Sequence, residues 1–530
     1  MTQRTEIDQE VPGRADVVVI GAGHNALVAA VLLARAGLDI LVLERASWLG
    51  GATRTEQPFP RVPGLRHSTG SYLLGLMPPE LLHTLEVELA LLRRDPHYFL
   101  PTAGGPGSPY LLFGSDAAAT RRQLEAFFSP ADVRADAALQ AELAMLREDL
   151  APAWLTDPLT VAETAERFIR PALRRVFIDL CRGSVADYLA RFGFDSELLV
   201  TMYVVTDGLS GLTAGPDTAG SGHNFLVHNM CRLPGAGGTW MIVRGGMGTV
   251  SATFAAAARK AGARICVGTP VAAVLTAGGA ASGVRLADGR EVTASVVLGA
   301  CDPFTLAELA GAAAPAEFTE RLERVRRPGT TLKVNLALRD LPKFSALPDA
   351  ANPYGSTIHL LPDGPHPLAA VRAMWEHVLA GRLPDVPTIE WYIHTTVDRS
   401  LQDPGRHHSS ALFVQSVPYA IAGSTWAAEL PGYVEQLLDL CGRFAPGTRD
   451  LVADVVAMPP PGIEEYFGIR HGHIHHVDNT VSFTDRVPYR TGLPGLYAGS
   501  AGCHPAGSVI GAAGHNAARA VLADLRLGGG

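Results

Sequence analysis

The sequence predicts an α/β protein: a parallel sheet flanked by helices, interrupted along the chain by an inserted mixed α+β domain. Three observations carry this. Ala15 to Gly51 reads as strand (Val17 to Ile20), glycine turn, helix (Asn25 to Ala36) and strand (Ile40 to Leu43). The pattern of strand, glycine turn, helix and strand returns at Trp240 to Gly268, and a strand, turn and helix return once more at Gly495 to Ala520. Between these pieces lie a helix-forming block, Ser115 to Phe192, and alternating strand-like runs at Thr330 to Leu338, Thr388 to Thr396 and Ala411 to Pro418.

Each small residue of the first unit has a physical task. Gly21 permits the turn, Gly23 lets a pyrophosphate approach the backbone, and Ala26 lets helix and strand pack closely. Phosphates would lie on the helix N-terminus, where free amides and the helix dipole favour negative charge. Glu44, at the end of the second strand, is placed to accept hydrogen bonds from ribose hydroxyls. This is a Rossmann-type dinucleotide site. Arg45 and the pair Gly50-Gly51, followed by Ala52 and Thr53, extend it into a second turn of the kind flavoproteins use for FAD.

With GAGHNALVAA at Gly21 to Ala30, the segment Leu49 to Leu74, RGGMGTVSATF at Arg244 to Phe254 and GSAGCHPAGSVIGAAGHNAARA at Gly499 to Ala520, the chain resembles the phytoene-desaturase-like branch of the FAD-dependent amine oxidase and carotenoid desaturase superfamily. Within it, the resemblance is to proteins named for a pyridine nucleotide-disulphide oxidoreductase domain. It runs collinearly over nearly the whole chain and implies a glutathione-reductase-like FAD-binding domain in three pieces, 14–75, 238–305 and 466–530. It also implies a substrate domain in two, 76–237, largely helical, and 306–465. By resemblance Val271 touches adenine through its backbone, and Gly70, Ser71 and Tyr72 line the flavin and substrate pocket. Gly499 and Ser500 end a strand that runs to the cofactor, and Gly507, Ser508, Val509 and Ile510 face the flavin N1 and C2 carbonyl. Relatives carry more glycine and an acid in this last stretch, where this chain has Ala506, Ser508 and Ser500.

The other elements follow in order. Pro78 and Pro79 begin a helix whose Leu81, Leu82, Leu85 and Leu89 recur at helical spacing, which reads first as core packing and second as a substrate-entry face. Val200 to Gly238 is a long glycine-rich polar loop, in which His223 and His228 could meet a substrate and could equally be turn and cap residues. Gly245, Gly246 and Gly248 do not form a second GxGxxG, so a nicotinamide dinucleotide site is not expected there. Ala281 to Ala300 reads as a hairpin around Asp288-Gly289 followed by a buried strand. In HGHIHH, extended backbone would put His471, His473 and His475 on one face, but only Asp478 is at hand to complete a metal set, and no metal is expected.

Composition bounds the function. A chain of 530 residues, 47% hydrophobic, buries a large core in two or more domains. A net charge of -8 argues against nucleic acid as partner. Six scattered cysteines without CxxC spacing fit a reducing cytoplasm. Without a long apolar run, the chain reads as soluble or as touching a membrane only peripherally.

The expected activity is that of an FAD-dependent dehydrogenase or desaturase. Hydride would pass from an apolar, isoprenoid-like substrate to flavin N5, with oxygen or a quinone as acceptor. His504 is the candidate catalytic side chain, with a structural histidine at a helix start as the alternative. Amine oxidation at a C–N bond and flavin-dependent isomerisation are the enzymatic alternatives. A lipid-binding chaperone like the Rab GDP-dissociation inhibitors is the alternative of another class.

Overall fold

The computed structural model describes residues 10–105, 107–348 and 351–527. Five short strands form an all-parallel sheet in the order Leu496–Ala498, Val296–Gly299, Val17–Ile20, Ile40–Leu43, Arg264–Cys266. Numbered along the chain and read from the other edge, that is 3-2-1-4-5, so the order reverses between Val17–Ile20 and Val296–Gly299. Ligands bind at such a reversal, beyond the carboxyl ends of the strands. Gly21 follows directly, at φ +95°, against the backbone of Ala300 and Cys301.

Both faces of the sheet are covered, which is why Val17–Ile20 and Ile40–Leu43 are apolar and buried at every position. Helix His24–Arg35 packs on helix Gly248–Lys260 and on the C-terminal helix Ala512–Leu527. A hairpin sheet of Val271–Ala277, Ala280–Leu286 and Glu291–Thr293 turns at Asp288-Gly289 as the sequence predicts, with Gly289 at φ +88°.

A second sheet of seven strands carries the order Val452–Met458, Leu332–Leu338, His408–Val414, Ile389–Ile393, Thr357–Leu360, Tyr98–Leu100, Leu111–Phe113. Its neighbours are antiparallel except Thr357–Leu360 with Tyr98–Leu100. The last two strands lie in a stretch expected to be mainly helical. Alternation sorts its side chains. Leu332, Val334, Ile389, Trp391 and Leu412 pack under helix Trp426–Phe444, while Lys333, Glu390, Tyr392 and Phe413 point to the opposite face. A helical lobe, built on helix Pro130–Leu150 and the helices between Val161 and His228, closes over that second face.

Two expectations are corrected. The helix after Pro78 ends at Leu85, because Glu86 adopts a left-handed conformation (φ 53°), so Leu89 lies outside it. The glycine-rich stretch Val200 to Gly238 is not one loop: it begins inside helix Glu197–Tyr203 and contains a π-turn at Val204–Gly208 and helix Ser221–His228. Burial overrides its weak helix propensity: Asn224, fully buried, donates to the carbonyls of Asp207, Gly208 and Ser210 at 3.1–3.3 Å.

Helices His24–Arg35 and Ala512–Leu527 approach until a Cβ on Gly514 would overlap the Asn25 carbonyl. Alanine favours a helix over glycine by about 1 kcal/mol, yet here the overlap wins. Gly514→Ala should lower stability, read as a fall in the urea midpoint.

Candidate active site

The dinucleotide end is built on two glycine turns stacked on each other. Helix His24–Arg35 begins at Gly23 without any side-chain cap, and a Cβ on Gly23 would meet no atom within 4 Å. Helix Gly248–Lys260, after the turn at Gly245-Gly246, is closed by the protein itself. Ser68 Oγ accepts from Met247 N at 3.0 Å, and Thr55 Oγ1 accepts from Gly248 N at 2.9 Å. One helix N-terminus is therefore left to meet an anion and the other is not. Gly50 N donates to Ala22 O at 3.0 Å, and Gly51, at φ +56°, sits on Gly23. These residues fit the pyrophosphate of FAD. Ala26 is fully buried one turn into the helix, where it lets the helix pack on the sheet.

Glu44 is 8% exposed, and its two carboxylate oxygens accept from Ala22 N at 2.8 Å and Ala46 N at 2.9 Å. Each oxygen keeps a second lone pair for a ribose hydroxyl. Thr269 N donates to Glu44 O at 2.8 Å, which brings Val271, at the start of its strand, next to the same site. Arg45 is exposed and lies against Gly468.

A cavity of about 660 Å³ opens from these turns and runs across the seven-stranded sheet. Ala52, Thr53, Gly70, Ser71, Tyr72, Ser508 and Val509 line it, along with His24, His475 and His476. Ser71 N donates to Ala52 O at 3.0 Å, which ties the predicted pocket segment to the second glycine turn. His24 Nε2, His475 Nδ1 and His476 Nδ1 are buried here without a hydrogen-bond partner among the described residues, as fits a wall that meets a polar ligand. Gly507 lies behind the wall. Its N–H donates to Asn479 Oδ1 at 2.8 Å, and its Cα faces His475 so closely that no Cβ fits. Gly499 packs on Leu298 and Ala517, Ser500 Oγ accepts from Gly502 N at 3.1 Å, and Ile510 joins the core of the helical lobe.

Three histidine expectations need correction. His504 does not line the cavity; it is 2% exposed, with Nε2 3.1 Å from Ala153 O and Phe483 beside its ring. The helical lobe folds over this segment and takes the imidazole as a tie. His223 also lies off the cavity, its Nδ1 2.7 Å from Asn479 O, whereas His228 lines it, 4.0 Å from Asp207. HGHIHH is not an extended strand. A 3₁₀ turn at Arg470–Gly472 and positive φ at His471 break the alternation, and His473 pairs with Asp478 at 2.9 Å.

The sequence reading missed the groups on the sheet. Lys333, Phe413, Glu390 and His359 form one cross-strand row along the cavity floor. Lys333 Nζ sits 4.1 Å from the Tyr72 ring centre and 4.8 Å from that of Phe413. Burial pushes its amine down to about 7 and pushes the Glu390 carboxyl up. Glu390 accepts from Ser210 Oγ at 3.0 Å, Gln415 Nε2 at 2.6 Å and the Tyr392 hydroxyl. Burial likewise raises Asp207 to about 7. The overlooked signal was a lysine inside the strand run LKVNLAL and a glutamate inside IEWYI, both at positions of the face opposite the core.

Glu44→Ala should loosen FAD, read as a lower flavin-to-protein ratio after gel filtration. A Lys333 amine that titrates near 7 when folded and at the ordinary 10.5 when unfolded binds fewer protons in the folded state between those values. Its contribution to stability then rises with pH through that window, by at most about 1.4 kcal/mol per pH unit. Urea unfolding from pH 7 to 10 should show wild type gaining on Lys333→Met.

A family model described as flavin containing amine oxidoreductase matches residues 27–348. Pyridine nucleotide-disulfide oxidoreductase domain-containing protein 2 of Mus musculus is 34% identical, over 96% of this chain and 94% of its own. Hydroxyneurosporene desaturase of Cereibacter sphaeroides is 27% identical, over 96% and 98%. The crystal structure of an oxidoreductase from Methanosarcina mazei shares the fold at a TM-score of 0.62 with 18% identity, over 96% of this chain and 99% of that one. With its dinucleotide turns open to a ligand and its family match over more than half its length, the chain belongs to the flavin-containing amine oxidoreductases and is an FAD-dependent oxidoreductase of the amine oxidase and carotenoid desaturase type.

Proposed function

We propose that the enzyme dehydrogenates a mainly apolar, isoprenoid-like or similarly long substrate, with oxygen or a quinone as final acceptor. The observation that carries this reading is the shape and lining of the cavity. It leads away from the dinucleotide turns between Leu73, Phe113, Leu124, Met202, Phe413 and Ile474, whose apolar side chains alternate with many polar ones, among them Lys333, Glu390, Asp207 and Arg94. FAD, when bound, supplies the acceptor for a hydride from a substrate carbon.

The chain's own residues orient the substrate, exclude water and handle the proton. Tyr72 and Phe413 hold the Lys333 amine at the end of the sheet nearest the glycine turns. Uncharged above about pH 7, that amine can accept a proton at Nζ. Glu390, held by three donors, keeps Tyr392 in place beside Tyr72, ring centres 5.2 Å apart. Among the described residues no helix is long and apolar enough to cross a membrane. Trp48 and Tyr466, 47% and 42% exposed near Phe467 of the cavity wall, support a shallow membrane contact through which such a substrate would arrive.

Anaerobic mixing of the FAD-loaded protein with apolar alcohols, amines, polyenes and acids tests the reading. An apolar member should bleach the flavin, and Lys333→Met should slow bleaching roughly 10²-fold while keeping FAD. Conversion of substrate to an isomer with no net bleaching would overturn dehydrogenation.

A further inference from the structure

Across the sheet from Lys333, the cavity holds a buried cation without a counter-ion. Arg94 is 4% exposed and lines the cavity. Its Nε donates to Trp240 O at 2.9 Å and its Nη1 to Thr357 Oγ1 at 2.6 Å, so the plane of the guanidinium is set by the protein. Among the described residues it forms no ion pair and Nη2 has no hydrogen-bond acceptor. The groups that act on it through space are, in order, the Tyr392 hydroxyl, the Cys231 thiol and the Glu390 carboxyl, and the oxygens of Glu390 are already taken by Ser210, Gln415 and Tyr392. A buried arginine left in this state is costly unless an anion completes it.

A second group points to the same place. His359, two residues along the strand from Thr357 and on the same face, is 2% exposed and lines the cavity. Its ring stacks on Tyr98 at 4.3 Å and its Nδ1 lies 3.3 Å from Thr206 Oγ1, while Nε2 is buried without a partner. Tyr98 OH is 3.3 Å from the same Thr206 hydroxyl. Arg94 thus stands beside a small polar pocket, and Phe113, Met202 and Trp240 line the same cavity.

We propose that Arg94, with His359 beside it, is the binding site for a substrate carboxylate, which makes the substrate an apolar acid. This rests on the reading of the cavity as the substrate site and adds the class of substrate. A planar guanidinium with one free edge suits a carboxylate. Arg147 also lines the cavity without an ion pair among the described residues, but Glu390 and Asp207 stand in the same walls and disfavour the second charge of a phosphate monoester, so a carboxylate suits Arg94 better. The strand of Thr357 and His359 is three strands from that of Lys333, about 14 Å at the usual strand spacing. An acid bound at Arg94 would extend across the strands between Thr357 and Lys333.

Calorimetric titration of the FAD-loaded protein with dodecanoate, dodecan-1-ol, dodecylamine and dodecyl phosphate tests this without turnover. Dodecanoate should bind at least tenfold more tightly than the alcohol. Arg94→Gln should erase that preference while leaving alcohol affinity within about twofold, and Arg94→Lys should retain part of it. The ratio of acid to alcohol affinity within one variant is insensitive to a general loss of packing, and the wild-type ratio stands even where Arg94→Gln does not fold. Equal acid and alcohol affinity, a preference for the amine or the phosphate, or an acid preference untouched in Arg94→Gln would each overturn the carboxylate site. Tight acid binding while no apolar acid bleaches the flavin would keep the site and count against dehydrogenation instead.

Discussion

A single buried guanidinium holds the roof of the active site together. Arg486, 1% exposed, donates from its three nitrogens to Val477 O, Asp478 O, Asn479 Oδ1, Val481 O, Ala501 O and Cys503 O. It thereby joins the histidine segment that forms one cavity wall to the C-terminal turn that carries Ser508 and Val509. Burial depresses its pKa to about 10, so the charge persists at neutral pH and the carbonyls must neutralise it. Neither segment is regular secondary structure, and without that shared donor their carbonyls would be buried and unmet. The narrow place of Gly507 on His475 follows, and with it the position of that cavity wall.

The two sheets divide the chemistry. The parallel sheet, buried on both faces, uses its strand ends and one uncapped helix to meet a charged dinucleotide. The seven-stranded sheet uses alternation, with one face under helix Trp426–Phe444 and the other lining the cavity with Lys333, Phe413, Glu390 and His359 in register. Charged groups on that second face are far from bulk water, and their pKa values move accordingly. Lysine falls and the Glu390 carboxyl rises, as does that of Asp207 in the helical lobe across the cavity, so fewer of these groups are charged than their residue types suggest.

The nucleotide unit was legible because its chemistry is local. Gly21, Gly23, Ala26 and Glu44 act within one strand–turn–helix–strand, and the hairpin at Asp288-Gly289 and helix Gly248–Lys260 are likewise set by neighbours in sequence. His504 was misread because its surroundings are not local: Ala153, from the helical lobe, takes its ring. Helix Ser221–His228 was read as loop because glycine, serine and asparagine favour turns, and only the buried bonds of Asn224 repay the helical form.

The sequence by itself determined the α/β class, the flavin dinucleotide turn, and the collinear pattern that marks the family. These depend on backbone freedom at named glycines and on hydrophobic period, both properties of short stretches. Tertiary structure alone decided which side chains share the cavity. Lys333, Glu390, Tyr392, Arg94 and His359 come from three strands and one loop distant in sequence, brought together by strand register and by a helical lobe that excludes water. Their ionisation depends on that exclusion, because the cost of a buried charge arises only once the walls have closed.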